Sequence, residues 1–371
     1  MSDSSKKSPR RRLKKRRTTA SIGGTSQSAF AGYAPNVGQQ AAPKRPASVP
    51  TTVNGRFNFL TPATASSLLR NGRVMMTRDS DGNTASSKGV DLDPKTLPVH
   101  DARAMSAQAQ PTWERNGFEL LDSPPEDESL DFTDHGQVVK SYYPQCAAIV
   151  EAATGARAYA FDHNVRSASG KESKQQLKGG QHVQEPAHVV HGDYTLRSAP
   201  DRLNQLAQPP SGNDTLLGAL PAGRSLISAA DAERALGEGG RFAIINVWRN
   251  IAAEPVATHP LALCDGQTVV PEDLVVFEIH YADRIGENYF AKHSDRHRMY
   301  YYPAMTRHEA LLIKQWDSAG PLARSDGREG DGSDNEAPCT FSFHSAFVDP
   351  NTPPDAPDRW SIEVRCLVIY H

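Results

Sequence analysis

Residues 188–197 read HVVHGDYTLR. In an extended chain side chains alternate between the two faces, so His191 and Asp193 fall on the same side. Two histidines and one carboxylate on one face of a metal leave its remaining positions open, the arrangement typical of non-haem Fe(II) oxygenases. A bare H-x-D is common, and the chain holds a second one at His293-Ser294-Asp295. The downstream sequence separates them. In a double-stranded β-helix the second histidine lies several strands after the H-x-D, across the barrel. After Asp193 the chain supplies RFAIINVWRNI, DLVVFEIHYA, RMYYYPAM and ALLIKQWD before CTFSFHSAF, which carries His344. After Asp295 it supplies only the last two of these and then a polar stretch, too little to build an opposing sheet. The expected metal ligands are therefore His191, Asp193 and His344, and His293 reads as part of an exposed charged turn.

These segments, with SIEVRCLVIY at the end, are short, rich in β-branched and aromatic residues, and separated by Pro, Gly and Asp. That pattern predicts a mainly β fold with flanking helices, a double-stranded β-helix of the jelly-roll, cupin-like kind. Upstream, GRFNFLTP, TLPVHDARAM, NGFELLD and ARAYAFDHNVR read as strands. ATASSLLRNG, the second half of QVVKSYYPQCAAIVEAAT, and ADAERALGEGG read as helical. Residues 167–185 and 319–338 are polar, Gly-containing and read as a flexible loop and a surface insertion. The organisation expected is a disordered arm over 1–50 and a single oxygenase domain over 51–371, with an extension at 51–180 and the core barrel at 181–371.

The net charge of −2 conceals an asymmetry. Residues 1–17 hold nine of the 41 basic residues and one of the 43 acids, leaving 32 and 42, so the rest of the chain carries −10. An acidic body is a poor partner for a phosphate backbone. Nucleic acid, if bound, is expected only at the 1–17 arm, whose KKSPRRRLKKRR also fits a nuclear localisation signal or a functionless tail. The first 50 residues lack the apolar content to offset the entropy of ordering. Cys146, Cys264, Cys339 and Cys366 form no CxxC pair, which argues against a zinc site and for free thiols in a reducing, cytoplasmic setting. No run approaches the length needed to cross a bilayer.

A metal centre of this type takes a keto acid, whose distal carboxylate needs a cation. Arginine fits best, because its planar fork meets a carboxylate bidentately and stays charged when buried. Arg365, in the apolar strand SIEVRCLVIY, is the first candidate and Arg359 the competitor; a structural pair between Arg365 and Glu363 is the alternative reading. Lys314 and Tyr302 are further candidate contacts for the co-substrate. Asn246, Trp248 and Arg249 of INVWRN are candidate pocket residues, with Arg249 positioned to grip a substrate acid.

At VHGDYT, INVWRN with PLALCD, YYYPAM with EALLIKQWDS, HSAFVDP and RWSIEVRCLVIY, with NFLTP, HDAR and FDHNVR upstream, the sequence resembles the fungal gibberellin desaturase-like and aspergillic acid hydroxylase-like oxidoreductases, also labelled after a cephamycin methoxylation subunit. The resemblance spans roughly residues 54–371. It implies an enzyme of secondary metabolism that uses Fe(II), 2-oxoglutarate and dioxygen to hydroxylate or desaturate a small molecule. It also implies iron at His191, Asp193 and His344 and the co-substrate at Arg365. NVWRN and RWSIEVR depart from the family's NVWRP and ReSIEVR. A reading from another class is a non-catalytic jelly-roll binding or coat protein whose basic arm holds nucleic acid.

Overall fold

The computed structural model describes residues 51–78, 84–179, 182–212, 214–282, 284–328 and 336–370. The chain divides into two units between residues 49 and 50. The basic arm, and the 329–335 part of the expected insertion, lie outside the described residues.

Fifteen strands are described: β1 (Thr52–Leu60), β2 (Met75–Arg78), β3 (Thr84–Lys88), β4 (Leu92–Asp101), β5 (Phe118–Asp122), β6 (Arg157–Arg166), β7 (His191–Gly192), β8 (Phe242–Asn250), β9 (Leu261–Cys264), β10 (Leu274–His280), β11 (Ile285–Ala291), β12 (Met299–Tyr301), β13 (Glu309–Asp317), β14 (His344–Ala346) and β15 (Ser361–Ile369). They form a ten-stranded sheet in the order β1-β4-β12-β9-β14-β7-β11-β10-β2-β3 and a five-stranded sheet in the order β5-β13-β8-β15-β6. This is the expected jelly roll, mainly β with helices at its flanks.

Burial follows from the layering. Every residue of β8 is buried, so neither face of FAIINVWRN meets water, and its apolar run reflects that. One face meets the ten-stranded sheet. The other lies under the helix Tyr143–Thr154, which contacts β6, β8 and β15. That helix ends at Gly155, whose φ of 67° is the left-handed conformation glycine adopts without a Cβ penalty.

Three segments differ from the sequence reading. ATASSLLRNG forms no helix. Its Ser67 instead accepts from the Val276 N–H at 2.9 Å through its hydroxyl and donates its own N–H to Leu274 O at 2.8 Å, so tertiary bonds replace local ones. HVVHGDYTLR is not a long strand: Val189 makes an isolated bridge to Asn58, His191 and Gly192 form β7, and the chain then turns at Thr195 into the helix Ser198–Leu206. The Thr195 hydroxyl organises that turn, accepting from the Ser198 N–H at 3.0 Å and donating to Glu287 at 2.6 Å. Residues 168–172 are a short helix rather than loop. In the expected insertion, Pro321–Arg324 is a packed 3-10 turn with Leu322 buried.

Candidate metal centre

β7 sits between β14 and β11, and its ladder with β14 is one residue pair, His344 opposite His191. Directly opposed residues project to the same side, and the two imidazoles lie with ring centroids 4.4 Å apart. Asp193, two residues beyond His191, joins them. Its Oδ1 is 3.6 Å from His191 Nε2 and 3.9 Å from His344 Nε2. Among the described residues, these three form the group whose ligand atoms all lie within 4.8 Å of one another.

The rest of each side chain is oriented by neighbours. His191 Nδ1 lies 2.8 Å from the Val189 carbonyl, which can only accept, so Nδ1 carries the proton and Nε2 keeps its lone pair for a metal. His344 Nδ1 faces Ser342 O at a longer 3.5 Å. Asp193 Oδ2 accepts from Asn246 Nδ2 at 3.2 Å and Arg365 Nη2 at 3.4 Å, leaving Oδ1 toward the histidines. The Asp193 N–H donates to Gln315 Oε1 at 3.3 Å. The intervening Gly192 is a packing requirement: a Cβ there would sit 3.0 Å from the Phe341 ring.

Electrostatics hold the set ready for a cation. Burial, reinforced by the nearby His344, brings the His191 imidazole down to about 4, so it is neutral at pH 7. His344 is lowered as well, chiefly by burial. For Asp193 burial acts to raise the pKa, but Arg365 and then the two histidines outweigh it, and the carboxyl ionises well below its ordinary range. Two neutral imidazole nitrogens and one carboxylate oxygen match the facial triad of non-haem iron.

A second set of groups lies on the neighbouring strand β15. Arg359, just before it, is buried, stacks 5.7 Å over the Trp248 ring, and donates through Nη1 to the His259 carbonyl. Among the described residues it has no carboxylate within ion-pairing distance, and its Nε is buried without a partner. Burial, then the proximity of Arg166, lowers its pKa to about 9, which leaves it a cation at neutral pH. Ser361 Oγ is likewise buried without a partner, and Arg166 stands opposite Ser361 in register. A buried cation and a hydroxyl with unused hydrogen-bonding capacity fit a carboxylate ligand. Arg365, by contrast, is enclosed by acids: Asp162 at 2.9 Å, Glu363 at 3.2 Å and Asp193 at 3.4 Å.

The other candidates divide by strand parity. Asn246 faces the triad, and Trp248, two residues on, shares its face. Arg249 points to the opposite face, away from the triad, where it donates to the Tyr142 hydroxyl at 2.8 Å and to the carbonyls of Ser123 and Arg307 at 2.6 and 2.7 Å. Lys314 is held by Asp317 at 3.1 Å and by the Glu114 and Cys339 carbonyls at 3.2 and 3.1 Å, over the Trp113 ring. Tyr302 packs in a separate apolar cluster with Phe118 and Trp248. Neither reaches the triad. His293 lies 4.0 Å from a fully exposed Asp295 and packs on Phe59. Ser361, Gln315 and Arg166 were not anticipated. The R-x-S spacing of Arg359 and Ser361 was the available signal, since period two puts both on one side.

An H-x-D and a distal histidine converging between the sheets of a jelly roll define the class of 2-His-1-carboxylate proteins. The chain belongs to the family described as Oxidoreductase/YMDC permease-like domain, whose profile matches residues 57–369. Among its relatives is the uncharacterized protein in the dcmA 3'region of Methylophilus leisingeri, 44% identical over 56% of this chain and 94% of that one. Another is the Fe(II)/2-oxoglutarate-dependent dioxygenase nvfI of Aspergillus novofumigatus, 30% identical over 74% of this chain and 83% of the relative. The solved iron and alpha-ketoglutarate-dependent endoperoxidase NvfI, in a structure titled "with different conformation", shares the fold with a TM-score of 0.65 and 24% identity, over 87% of this chain and 99% of that one. Among the described residues no helix is long and apolar enough to cross a membrane.

Proposed function

We propose that this protein is an Fe(II)/2-oxoglutarate-dependent oxygenase that hydroxylates or desaturates a small secondary-metabolite substrate. The observation that carries this reading is the convergence of His191 Nε2, His344 Nε2 and Asp193 Oδ1, each with its other polar atom turned to a protein partner. Relatives named as dioxygenases, and a hydroxylase/desaturase of Penicillium oxalicum, support it. Bound iron and keto acid would supply the oxidising chemistry.

The chain's own residues bind and orient. His191, His344 and Asp193 hold the ion. Asn246 and Arg365 fix the second oxygen of Asp193. Arg359 and Ser361, rather than Arg365, receive the distal carboxylate of 2-oxoglutarate, because Arg365 already pairs with three acids while, among the described residues, Arg359 has no carboxylate within ion-pairing distance. Membership of the gibberellin desaturase-like or aspergillic acid hydroxylase-like branch belongs to the same reading and rests on the ordered motifs from VHGDYT to SIEVRC. The four cysteines are free and buried, in keeping with a reducing cytoplasmic setting.

The test is reconstitution with Fe(II) under air, with succinate measured by mass spectrometry. Oxygen-dependent succinate release is expected, abolished by His191→Ala. Equal release from that variant would refute the assignment.

A further inference from the structure

β13 carries a bulge. Its register with β8 runs Ile313 to Asn246 and Lys314 to Ile245, then jumps to Trp316 opposite Ile244, leaving Gln315 without a cross-strand partner. A bulge of this kind bends the strand and re-aims a side chain, and such devices recur next to active sites. Here the re-aimed side chain is fully buried, and its amide reaches Asp193. An N–H donor needs an oxygen to accept it, so the Asp193 N–H fixes which end of the Gln315 amide is Oε1. Nε2 then lies beside it, buried, with two N–H bonds and no partner.

Leaving such a donor unpaired forfeits its hydrogen bonds to water with nothing in return. A glutamine serving only to hold the Asp193 backbone has no need to bury a free NH2 next to the oxygen that bonds a metal-ligating residue. We infer that Gln315 is a positioning residue for the iron site: its Oε1 fixes the backbone of the acid ligand, and its Nε2 donates a hydrogen bond to an anionic oxygen of the keto acid held on the ion. Asn246 is its counterpart on β8, fixing the same ligand through Oδ2. This inference rests on the iron and 2-oxoglutarate reading above.

The two halves of the role separate in two variants. Gln315→Met removes both interactions; Gln315→Glu keeps an oxygen toward Asp193 but loses the donor and adds a negative charge. Co(II) titration followed by visible absorption reports metal affinity, and calorimetry of the Co(II)-loaded protein reports 2-oxoglutarate affinity. Gln315→Met should weaken Co(II) by about 10-fold or more, the range of outer-shell partners. Gln315→Glu should retain Co(II) and weaken 2-oxoglutarate by about 10-fold. Unchanged Co(II) affinity in Gln315→Met overturns the orienting role, and unchanged keto-acid affinity in Gln315→Glu overturns the donor role. If the methionine variant does not fold, the near-isosteric Gln315→Glu still decides the donor. A wild type that binds no Co(II), or a His191→Ala protein that binds it equally, overturns the iron reading itself; a wild type that binds while both Gln315 variants match it overturns only the role of Gln315.

Discussion

The two faces of the five-stranded sheet both bury polar groups, and they differ in what those groups bond. On the outer face Arg249 is gripped by the Tyr142 hydroxyl and two carbonyls, and His163 by the Tyr143 hydroxyl at 2.9 Å. These groups tie the sheet to the segment that leads into and forms the helix above it. On the inner face Asn246, Gln315, Ser361 and Arg359 each retain a buried polar atom with no partner among the described residues, as do Arg249 at Nη2 and His163 at Nε2 on the outer face. What sets the inner face apart is that Asn246 and Gln315 also bond the metal-site acid Asp193. Buried polar groups are ordinarily satisfied, so the spare polar atoms of Asn246 and Gln315, two side chains that meet at Asp193, mark a place where a ligand fits. Adjacent residues of one strand, Trp248 and Arg249, thus belong to different jobs.

The largest effect expected on this contrast is at the iron ligands. Asp193→Ala should reduce succinate release to background while leaving far-UV circular dichroism unchanged, because Arg365 keeps Asp162 and Glu363 as partners. Next, Arg359→Met should weaken 2-oxoglutarate by about 100-fold, the loss expected when one partner of a buried charge pair is truncated. Its thermal midpoint should stay level or rise, since an uncompensated buried cation has been removed. Arg365→Met should behave oppositely and lower the midpoint, because three carboxylates lose their partner. Equal behaviour of the two arginines would erase the distinction drawn between them.

On the outer face, Arg249→Met should cost about 3 kcal/mol in denaturant unfolding by orphaning the carbonyls it serves, with the KM for 2-oxoglutarate unchanged. A rise in that KM would put Arg249 back in the pocket. The smallest effect is the pH response of His163. Burial, against a counteracting Asp162, brings it down to about 4 from an ordinary 6.5. Between those values the unfolded chain binds the proton and the folded chain does not, so stability should fall as the pH drops from 6.5 toward 4. His163→Gln should flatten that slope in urea melts of the apoprotein; an unaltered slope would show that the ring is not buried neutral.

How much of this could be read in advance follows from the range of the forces. His191, Asp193 and His344 were legible because alternation fixes the first two and strand counting finds the third. The proposed preference for Arg359 over Arg365 was not, because it rests on Asp162, some two hundred residues upstream, which reaches Arg365 through the β6–β15 pairing. Gln315 was hidden for a different reason: strict period-two reading fails at a bulge. That Arg249 faces away from Asn246 was available in the parity of the motif itself, but a buried arginine in a candidate pocket strand invites a ligand explanation before a structural one.

One pairing noted earlier carries a further consequence. The ladder between β7 and β14 is a single rung made of the two ligand histidines, so the ten-stranded sheet is stitched in its middle by residues that also grasp an ion. Loading that ion would rivet the seam, adding RT ln(1 + [metal]/Kd) to the fold's resistance to opening. A cell short of iron would then hold a population of this enzyme that is idle and also easier for proteases to cut, so that supply of the metal governs both its turnover of substrate and its own persistence.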